Sequence, residues 1–185
     1  QQGVLGEIIH AEGSYLHDLR ERIATNDNGE RKWSNWQIEF MNSHNGNPYP
    51  THGIGPVCQL LHIHRGDRLD YLVSLTPSTE ALHDVCVNNT LIRTVNGCSI
   101  MLQHDVSSPR PYTRINKITG TKGIFYGMPW RTYRKDPSMM RLGWEKNPGD
   151  GLHRFFDEKQ TAEIRETYKH PLWKTVGELA KRVGG

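Results

Sequence analysis

The alternation of apolar and polar residues predicts a series of short strands, several of them joined by tight turns. The clearest prediction is a β-hairpin at Asn96-Gly97, because strand-like runs flank this pair on both sides. Asn-Gly is the favoured sequence for a two-residue hairpin turn with positive φ. The predicted strands span residues 7–15, 69–75, 90–95, 98–103, 112–118 and 123–126.

Helical patterns lie between these strands and after the last of them. Gly66 ends the first predicted helix, and Pro171 is placed for the first turn of the third. Consecutive strands joined by short turns imply an α+β fold, with a largely antiparallel open β-sheet and helices packed on one face. The predicted helices span residues 54–65, 157–168 and 172–182, and the predicted long loops span 26–35 and 129–151.

The composition is that of one ordinary globular domain. The chain has 185 residues, of which 35% are hydrophobic and 23% charged. A net charge of +3, without a long basic run, argues against nucleic-acid binding. No stretch is long and apolar enough for a transmembrane helix, and the first residues lack the pattern of a signal peptide. Ten histidines, seven tyrosines and five tryptophans suit a pocket for a sugar or a similar hydroxylated ligand.

The three cysteines and one histidine pair are the candidate metal ligands of this sequence. Cys58, Cys86 and Cys98 are odd in number and lack CxxC spacing, so they are predicted to be buried small hydrophobic residues. His62 and His64 could chelate a metal on a strand, but here they lie at the C-terminal end of the predicted helix 54–65, where the spacing of their rings is poor for chelation. The sequence therefore predicts no metal site.

The segment Asn47–Gly53, with the sequence NPYPTHG, carries the most informative chemistry. It places a phenol at Tyr49 and an imidazole at His52 on a backbone stiffened by two prolines. Pro50 biases Tyr49 towards extended geometry, and Gly53 frees the chain to turn afterwards. A rigid loop loses little entropy when it positions two proton-transfer groups. Two interpretations remain open from this segment alone: an active-site loop, or a stiff turn whose side chains satisfy local hydrogen bonds.

Two further clusters carry candidate groups. Tyr15 and His17 share one face of the first strand, whereas the adjacent Asp18 points to the other. The segment 103–112 also contains a Pro-x-Pro stretch, and it delivers Tyr112 just as the next strand begins. Two such loops could converge on one pocket from neighbouring strand ends.

Several common catalytic arrangements are missing. Ser107, His104 and Asp105 do not predict a catalytic triad, because they lie too close together in sequence and no nucleophile elbow is present. No obvious pair of acidic residues predicts carboxylate-based glycoside hydrolysis. No GxGxxG motif links a strand to a helix, so the chain does not carry its own dinucleotide-binding fold.

Taken together, these segments resemble the C-terminal domain of the Gfo/Idh/MocA oxidoreductase family. The resemblance is closest to its glycosidase branch, glycoside hydrolase family 109, and covers nearly the whole chain. It runs through residues 6–10, 15–20, 45–53, 88–92, 103–105, 108–112 and 120–123. The resemblance implies that residues 1–185 are one substrate-binding and oligomerisation domain. It also implies a longer, two-domain protein whose N-terminal Rossmann domain holds NAD.

The chemistry implied by this resemblance is an elimination–addition at a hexosamine, with retention at the anomeric carbon. Oxidation of the sugar's 3-hydroxyl acidifies the C2–H, a base removes that proton, the C1 substituent leaves and water adds. The implied catalytic residues are Tyr15, Tyr49 and His52, and which of them acts as the base stays open. The implied sugar-binding residues are Tyr15, Gln37, Tyr49, Pro50, Thr51, His52 and Tyr112.

One position departs from the family pattern. The family's glycosidases have an arginine twelve residues before the tyrosine of the PYPTH segment, and this chain has Gln37 there. Glutamine loses the charge and the bidentate fork of arginine. The specificity for N-acetylgalactosamine is therefore less secure than the NAD-dependent sugar chemistry.

Two alternatives to the glycosidase function stay open. The domain could belong to an NAD(P)-dependent sugar or polyol dehydrogenase of the same family, or it could be a non-catalytic carbohydrate-binding or self-associating domain. The resemblance also implies a homo-oligomer formed through the open sheet. A periplasmic or secreted location in a bacterium is favoured over a cytoplasmic one, and any export signal would precede Gln1. The isolated chain is expected to be inactive, because it has no site for the hydride carrier.

Overall fold

The structure is a computed structural model that describes residues 2–23, 28–30, 34–43, 46–77, 87–127, 139–142 and 155–183. A seven-stranded sheet runs through it in the order β2-β3-β4-β1-β5-β6-β7. The strands are β1 (Ile8–Leu16), β2 (Leu69–Leu75), β3 (Val87–Thr94), β4 (Ser99–Asp105), β5 (Asn116–Gly120), β6 (Gly123–Gly127) and β7 (Met139–Leu142). The helices are α1 (Arg20–Ile23), α2 (Asn35–Ser43), α3 (Thr51–Leu60), α4 (Glu158–Thr167) and α5 (Pro171–Arg182).

Five of the six neighbouring strand pairs are antiparallel, which confirms the predicted α+β fold. The exception is the central pair, in which β1 runs parallel to β4. This parallel pair aligns the carboxyl ends of the two strands, so that Tyr15 lies beside His104. Sequence patterns indicate strands but not their partners, and this pairing was not predicted.

The main hydrophobic core lies between α3 and one face of the sheet. Apolar side chains of β1, β3, β4 and β5 meet Val57 of α3, which is almost fully buried. A second small core joins α1 and α2 to the end of β4 through Leu19, Ile38 and Val106. The sheet residues in the main core are Ala11, Ile92, Ile100 and Ile118.

Two glycines allow α3 to approach β1 at backbone contact distance. A Cβ atom at Gly13 would overlap the backbone of Gly53, and a Cβ atom at Gly53 would overlap the side chain of Leu102. Gly53 therefore does not turn the chain, as the sequence indicated, but lies inside the first turn of α3. Its lack of a side chain allows α3 to pack closely against β1.

The hairpin at Asn96-Gly97 is confirmed, but its turn is longer than predicted. Gly97 alone of the two has positive φ, at 94°, and donates its N–H to Thr94 O. Thr94 in turn donates to Cys98 O, which closes a three-residue loop. Asn96 has another role, because its backbone and side-chain N–H groups reach Asp67 and Gly66.

Several boundaries also differ from the prediction. α3 begins at Thr51 rather than 54 and ends at Leu60, because His62 and His64 after it adopt positive φ. The strand predicted from 112 begins at Asn116. β7 lies inside the predicted loop 129–151.

Other predictions of secondary structure are confirmed or fall outside the described residues. β2 matches its predicted bounds, and α4 and α5 lie where they were predicted, with Pro171 in the first turn of α5. Cys98 is buried and Cys58 partly so, whereas Cys86 lies outside the described residues. Half of the predicted loop 26–35 and most of the predicted loop 129–151 lie outside them as well. In the part of the chain that is described, no helix is both long and apolar enough to cross a membrane.

Candidate active site

Tyr15 lies at the carboxyl end of β1 and is the centre of the candidate site. Its ring is within 6.3 Å, centroid to centroid, of five other aromatic or imidazole rings. The shortest of these separations is 4.9 Å, to His52. The five neighbouring rings belong to His17, Tyr49, His52, His104 and Tyr112.

The PYPTH segment reaches Tyr15 because it leads into α3. Tyr49 donates its backbone N–H to Asn47 Oδ1 at 3.0 Å, and Pro50 has the helical values φ −75° and ψ −20°. His52 therefore stands on the first turn of α3, directly before the glycine that packs against β1. The rings of Tyr49 and His52 are 4.8 Å apart, and both contact Tyr15.

The segment after β4 delivers Tyr112 to the same place. Asp105 organises its first turn, since its carboxylate accepts the backbone N–H groups of Ser107 and Ser108 and pairs with Arg110 at 3.0 Å. Tyr112 then lies 4.8 Å from the ring of His17. Asp105 is therefore an anchor for the loop. Both Pro-x-Pro segments thus bring a tyrosine to the ring of Tyr15.

A cavity of about 370 Å³ opens beside this cluster. Tyr15, Tyr49 and His104 form its polar wall, and Trp36 and Phe40 of α2 form an exposed aromatic wall. None of the described residues that line it is an aspartate or a glutamate. A larger, mostly apolar cavity of about 770 Å³ lies elsewhere, between α3, the sheet and α4–α5, and none of the residues of the Tyr15 cluster lines it.

Arg114 brings a positive charge to the cluster. Its guanidinium carbon lies 5.8 Å from the ring centroids of both Tyr15 and Tyr112. Burial and the neighbouring phenols of Tyr112 and Tyr49 raise the pKa of Tyr15, and Arg114 opposes this rise. Burial and the charge of Arg114 lower the pKa of His52. At neutral pH Tyr15 is thus a proton donor and His52 is uncharged and able to accept a proton.

The structure brings together four of the residues indicated by sequence, namely Tyr15, Tyr49, His52 and Tyr112. Pro50 precedes α3 and Thr51 begins it with an exposed side chain. The position that departs from the family pattern belongs to α2, but the side chain of Gln37 lies outside the described residues.

Sequence reasoning missed two members of the cluster. His104 is 2% exposed and enters only through the parallel pairing of β1 with β4, which no local pattern reveals. Arg114 has a signal in the sequence: it stands two residues after Tyr112, so an extended chain places both side chains on one face.

Solved structures show which fold this is. Levoglucosan dehydrogenase in its apo form matches with a TM-score of 0.55 over 84% of this chain and 41% of that chain, at 17% identity. Its complex with NADH and L-sorbose matches with a TM-score of 0.54 over 84% and 39%, at 18% identity. At such identity the likeness shows the fold alone, and the chain shares that fold with about two fifths of each dehydrogenase chain.

Sequence relatives show the family. A glycosyl hydrolase family 109 protein of Phocaeicola vulgatus is 39% identical over 98% of this chain and 46% of its own length. An alpha-N-acetylgalactosaminidase of Bacteroides fragilis is 39% identical over 98% and 44%. The chain thus spans less than half the length of these relatives. The family described as "Glycosyl hydrolase 109, C-terminal domain" matches residues 1–90 and 83–185, so the chain belongs to that family.

Proposed function

We propose that this chain is the substrate domain of an NAD-dependent glycosidase that acts on N-acetylgalactosaminides or closely similar hexosaminides. The catalytic groups would be Tyr15, Tyr49 and His52, and Tyr112 would help to bind the sugar. Pro50 and Thr51 would shape the same loop, and Gln37 would contact the sugar from α2. Family membership and the name of the Bacteroides fragilis relative support the glycosidase class.

The observation that carries the proposal is the chemistry of the cluster around Tyr15. It is made of phenols, which can donate a proton at neutral pH, and imidazoles, which can accept one, and the described cavity wall has no carboxylate. Direct hydrolysis by paired carboxylates needs two acids on opposite sides of the glycosidic bond. Removal of a proton from carbon or from a hydroxyl needs one positioned base and one acid. The cluster fits the second kind of chemistry.

The cofactor would be held outside this chain. The glycine-rich turn between a strand and a helix that binds dinucleotides is missing from the sequence, and Gly3 and Gly6 precede a strand instead. NAD would supply the oxidation and later reduction at C3 of the sugar. The exposed side of Tyr49, 46% accessible, leaves the cluster open for a second domain or a substrate.

The residues of this chain would orient the sugar and move its protons. His52, uncharged at neutral pH, is suited to accept a proton, and Tyr15, with its raised pKa, is suited to return one to the leaving group or the ring. Trp36 and Phe40 offer apolar surfaces on which a sugar ring can stack.

Incubation of the intact protein with an aryl α-N-acetylgalactosaminide tests this proposal. We expect release of the aglycone without added NAD and without net NADH, because the cofactor returns to its starting state in each turnover. Tyr15→Phe and His52→Gln variants should lose at least about a hundredfold of the activity, which is the usual contribution of one acid–base group. Steady NADH production from a free sugar, with no aglycone released, would contradict the glycosidase proposal.

The second candidate is a sugar or polyol dehydrogenase, and steady NADH production from a free sugar in the same assay would support it. Two observations keep this candidate: Gln37 stands where the family's glycosidases have an arginine, and the fold is similar to that of levoglucosan dehydrogenase.

The third candidate is a binding domain without catalysis. Calorimetry with N-acetylgalactosamine, with Tyr49→Phe as the control, tests it: binding without turnover by the intact protein would support it.

We also propose two protein partners for this domain. The first is the N-terminal Rossmann domain of a longer protein to which residues 1–185 would belong, consistent with relatives more than twice as long. The second is another copy of the protein, through the sheet face opposite α3. That face exposes Tyr71, Val73, Leu75 and Leu91, each at least 55% accessible.

Light scattering of the intact protein tests self-association. Val73→Lys with Leu91→Lys should shift an oligomer towards smaller species, because buried unpaired charges oppose association. A monomeric wild-type protein would contradict the proposal.

We further propose a periplasmic or secreted location, following the family resemblance, and fractionation of the source cells tests it.

A further inference from the structure

Arg114 is held beside Tyr15 by its two neighbours in the chain. Thr113 and Leu16 exchange backbone hydrogen bonds of 2.9 and 3.1 Å. Ile115 donates its N–H to Ser14 Oγ at 2.7 Å, and Ser14 is 1% exposed. Both anchors lie on the end of β1 that carries Tyr15. The backbone of Arg114 is therefore fixed to the strand end on which the candidate site is centred.

The guanidinium of Arg114 lies against two phenol rings. Its carbon is 5.8 Å from the centroids of Tyr15 and Tyr112, within the range of cation–π contacts. Among the described residues no carboxylate forms an ion pair with Arg114. Its Nε atom is buried and finds no hydrogen-bond partner there. Among the described residues, the positive charge of Arg114 therefore interacts mainly with the rings of Tyr15 and Tyr112.

Other titratable and charged groups also face this site and must be counted with Arg114. Tyr49 and Tyr112 raise the pKa of Tyr15, whereas Arg22 on α1 lowers it. Tyr15 and Tyr49 contact His52. The remaining rings against Tyr15 are those of His17 and His104.

We propose that Arg114 is a positioning residue whose charge keeps His52 uncharged and able to accept a proton and makes the proton of Tyr15 easier to give up, a role that rests on the proposed function of this cluster. The charge favours the deprotonated form of both groups, because a phenolate attracts it and an imidazolium is repelled by it. The lowered pKa of His52 and the lowering influence of Arg114 on the pKa of Tyr15 agree with this role. One cation thus supports two groups, one on β1 and one on α3.

The protonation states can be measured without turnover. The intact protein is labelled at tyrosine Cζ and histidine Cε1 with ¹³C, and its NMR signals are followed through a pH titration. Tyr15→Phe and His52→Gln identify the two signals. We expect Arg114→Met to raise the pKa of Tyr15 by roughly half to one unit, the scale of one partly screened charge about 6 Å away, and to raise the pKa of His52 in the same direction.

Two variants control this experiment. Arg114→Lys keeps the charge and should leave both pKa values near those of the wild-type protein. Arg93→Met removes an exposed arginine from the far face of β3 and should shift neither group. Where an active enzyme is available, the acidic limb of its kcat/KM profile should move to higher pH in Arg114→Met and return in Arg114→Lys.

Unchanged pKa values in a folded Arg114→Met variant would overturn the proposal. So would shifts that Arg114→Lys reproduces, since those would come from lost packing and not from lost charge. Should the Met variant fail to fold, Arg114→Gln removes the charge while keeping a polar side chain, and the same two outcomes apply to it. Because the titration needs no substrate, a failure of the proposed glycosidase function stays distinguishable from a failure of this inference.

Discussion

The close contact between Gly13 and Gly53 is what allows α3 to bring His52 to Tyr15, and substitution of Gly53 tests this directly. In Gly53→Ala the new Cβ would overlap Leu102 Cδ1 and lie 3.0 Å from the backbone nitrogen of Ser14. One obstacle is a backbone that is hydrogen-bonded within the sheet, so α3 itself must move.

The magnitude follows from two opposing effects. Overpacking of this kind costs about 1–3 kcal/mol, whereas replacement of glycine by alanine inside a helix returns up to about 1 kcal/mol. We expect a net loss of about 1–2 kcal/mol in the free energy of unfolding, or roughly 2–8 °C in Tm for a chain of this size. Gly55→Ala is the control in the same helix, because no atom outside that helix's backbone and the two chain neighbours stands within 4 Å of its new Cβ. Its gain in helix propensity, up to about 1 kcal/mol, is offset by Pro56, whose ring disfavours a helical non-glycine residue before it, so we expect a stability within about 1 kcal/mol of the wild-type protein.

Urea and thermal denaturation of the 185-residue chain, followed by circular dichroism, measure both effects. In the intact protein Gly53→Ala should also weaken sugar binding, since α3 carries His52 away from Tyr15, whereas Gly55→Ala should not. If Gly53→Ala proved as stable as Gly55→Ala, the close contact would not be what positions the helix.

Three further predictions concern other parts of the chain. Asp105→Ala should lower stability by about 1–3 kcal/mol and weaken sugar binding, because it leaves two loop N–H groups and Arg110 without their acceptor; Asp105→Asn should lose less in a urea titration. Asp157→Ala should lose about 1 kcal/mol through the capping box of α4, in which Gln160 donates to Asp157 at 2.8 Å, and an equal stability of Asp157→Ala and wild type would refute this. Burial, with a smaller contribution from Asp67, raises the pKa of the Cys98 thiol from 9.0 to about 11. The folded state thus favours the neutral thiol, so this contribution to stability is complete below pH 9 and is lost between about pH 9 and 11; iodoacetamide at pH 8 should not label Cys98 in the native chain, as peptide mass mapping can check.

The sequence was informative wherever a local pattern decided the structure. Neighbouring residues were enough to predict strand β2, the Asn-Gly hairpin, helices α4 and α5 and the two Pro-x-Pro tyrosines. The start of α3 was missed because Pro50, which biases Tyr49 to extended geometry, also has a φ compatible with the first turn of a helix.

The unpredicted features depend on contacts between distant parts of the chain. The parallel pairing of β1 with β4 places His104 beside Tyr15, and strand patterns do not indicate which strands pair. The glycine contact between β1 and α3 joins positions 40 residues apart. Arg114 is brought beside Tyr15 by the backbone hydrogen bonds between Thr113 and Leu16, which join distant parts of the chain.

Deuterium incorporation tests the central claim most directly. The intact protein is incubated with an aryl α-N-acetylgalactosaminide in D₂O, and the released sugar is examined by NMR and mass spectrometry. Removal of the C2 proton by a tyrosine or histidine of the cluster lets that proton exchange with solvent, so the account predicts N-acetylgalactosamine with deuterium at C2. A product that keeps its C2 hydrogen would contradict the account, because hydrolysis would then proceed without the proton transfer that this cluster is proposed to perform.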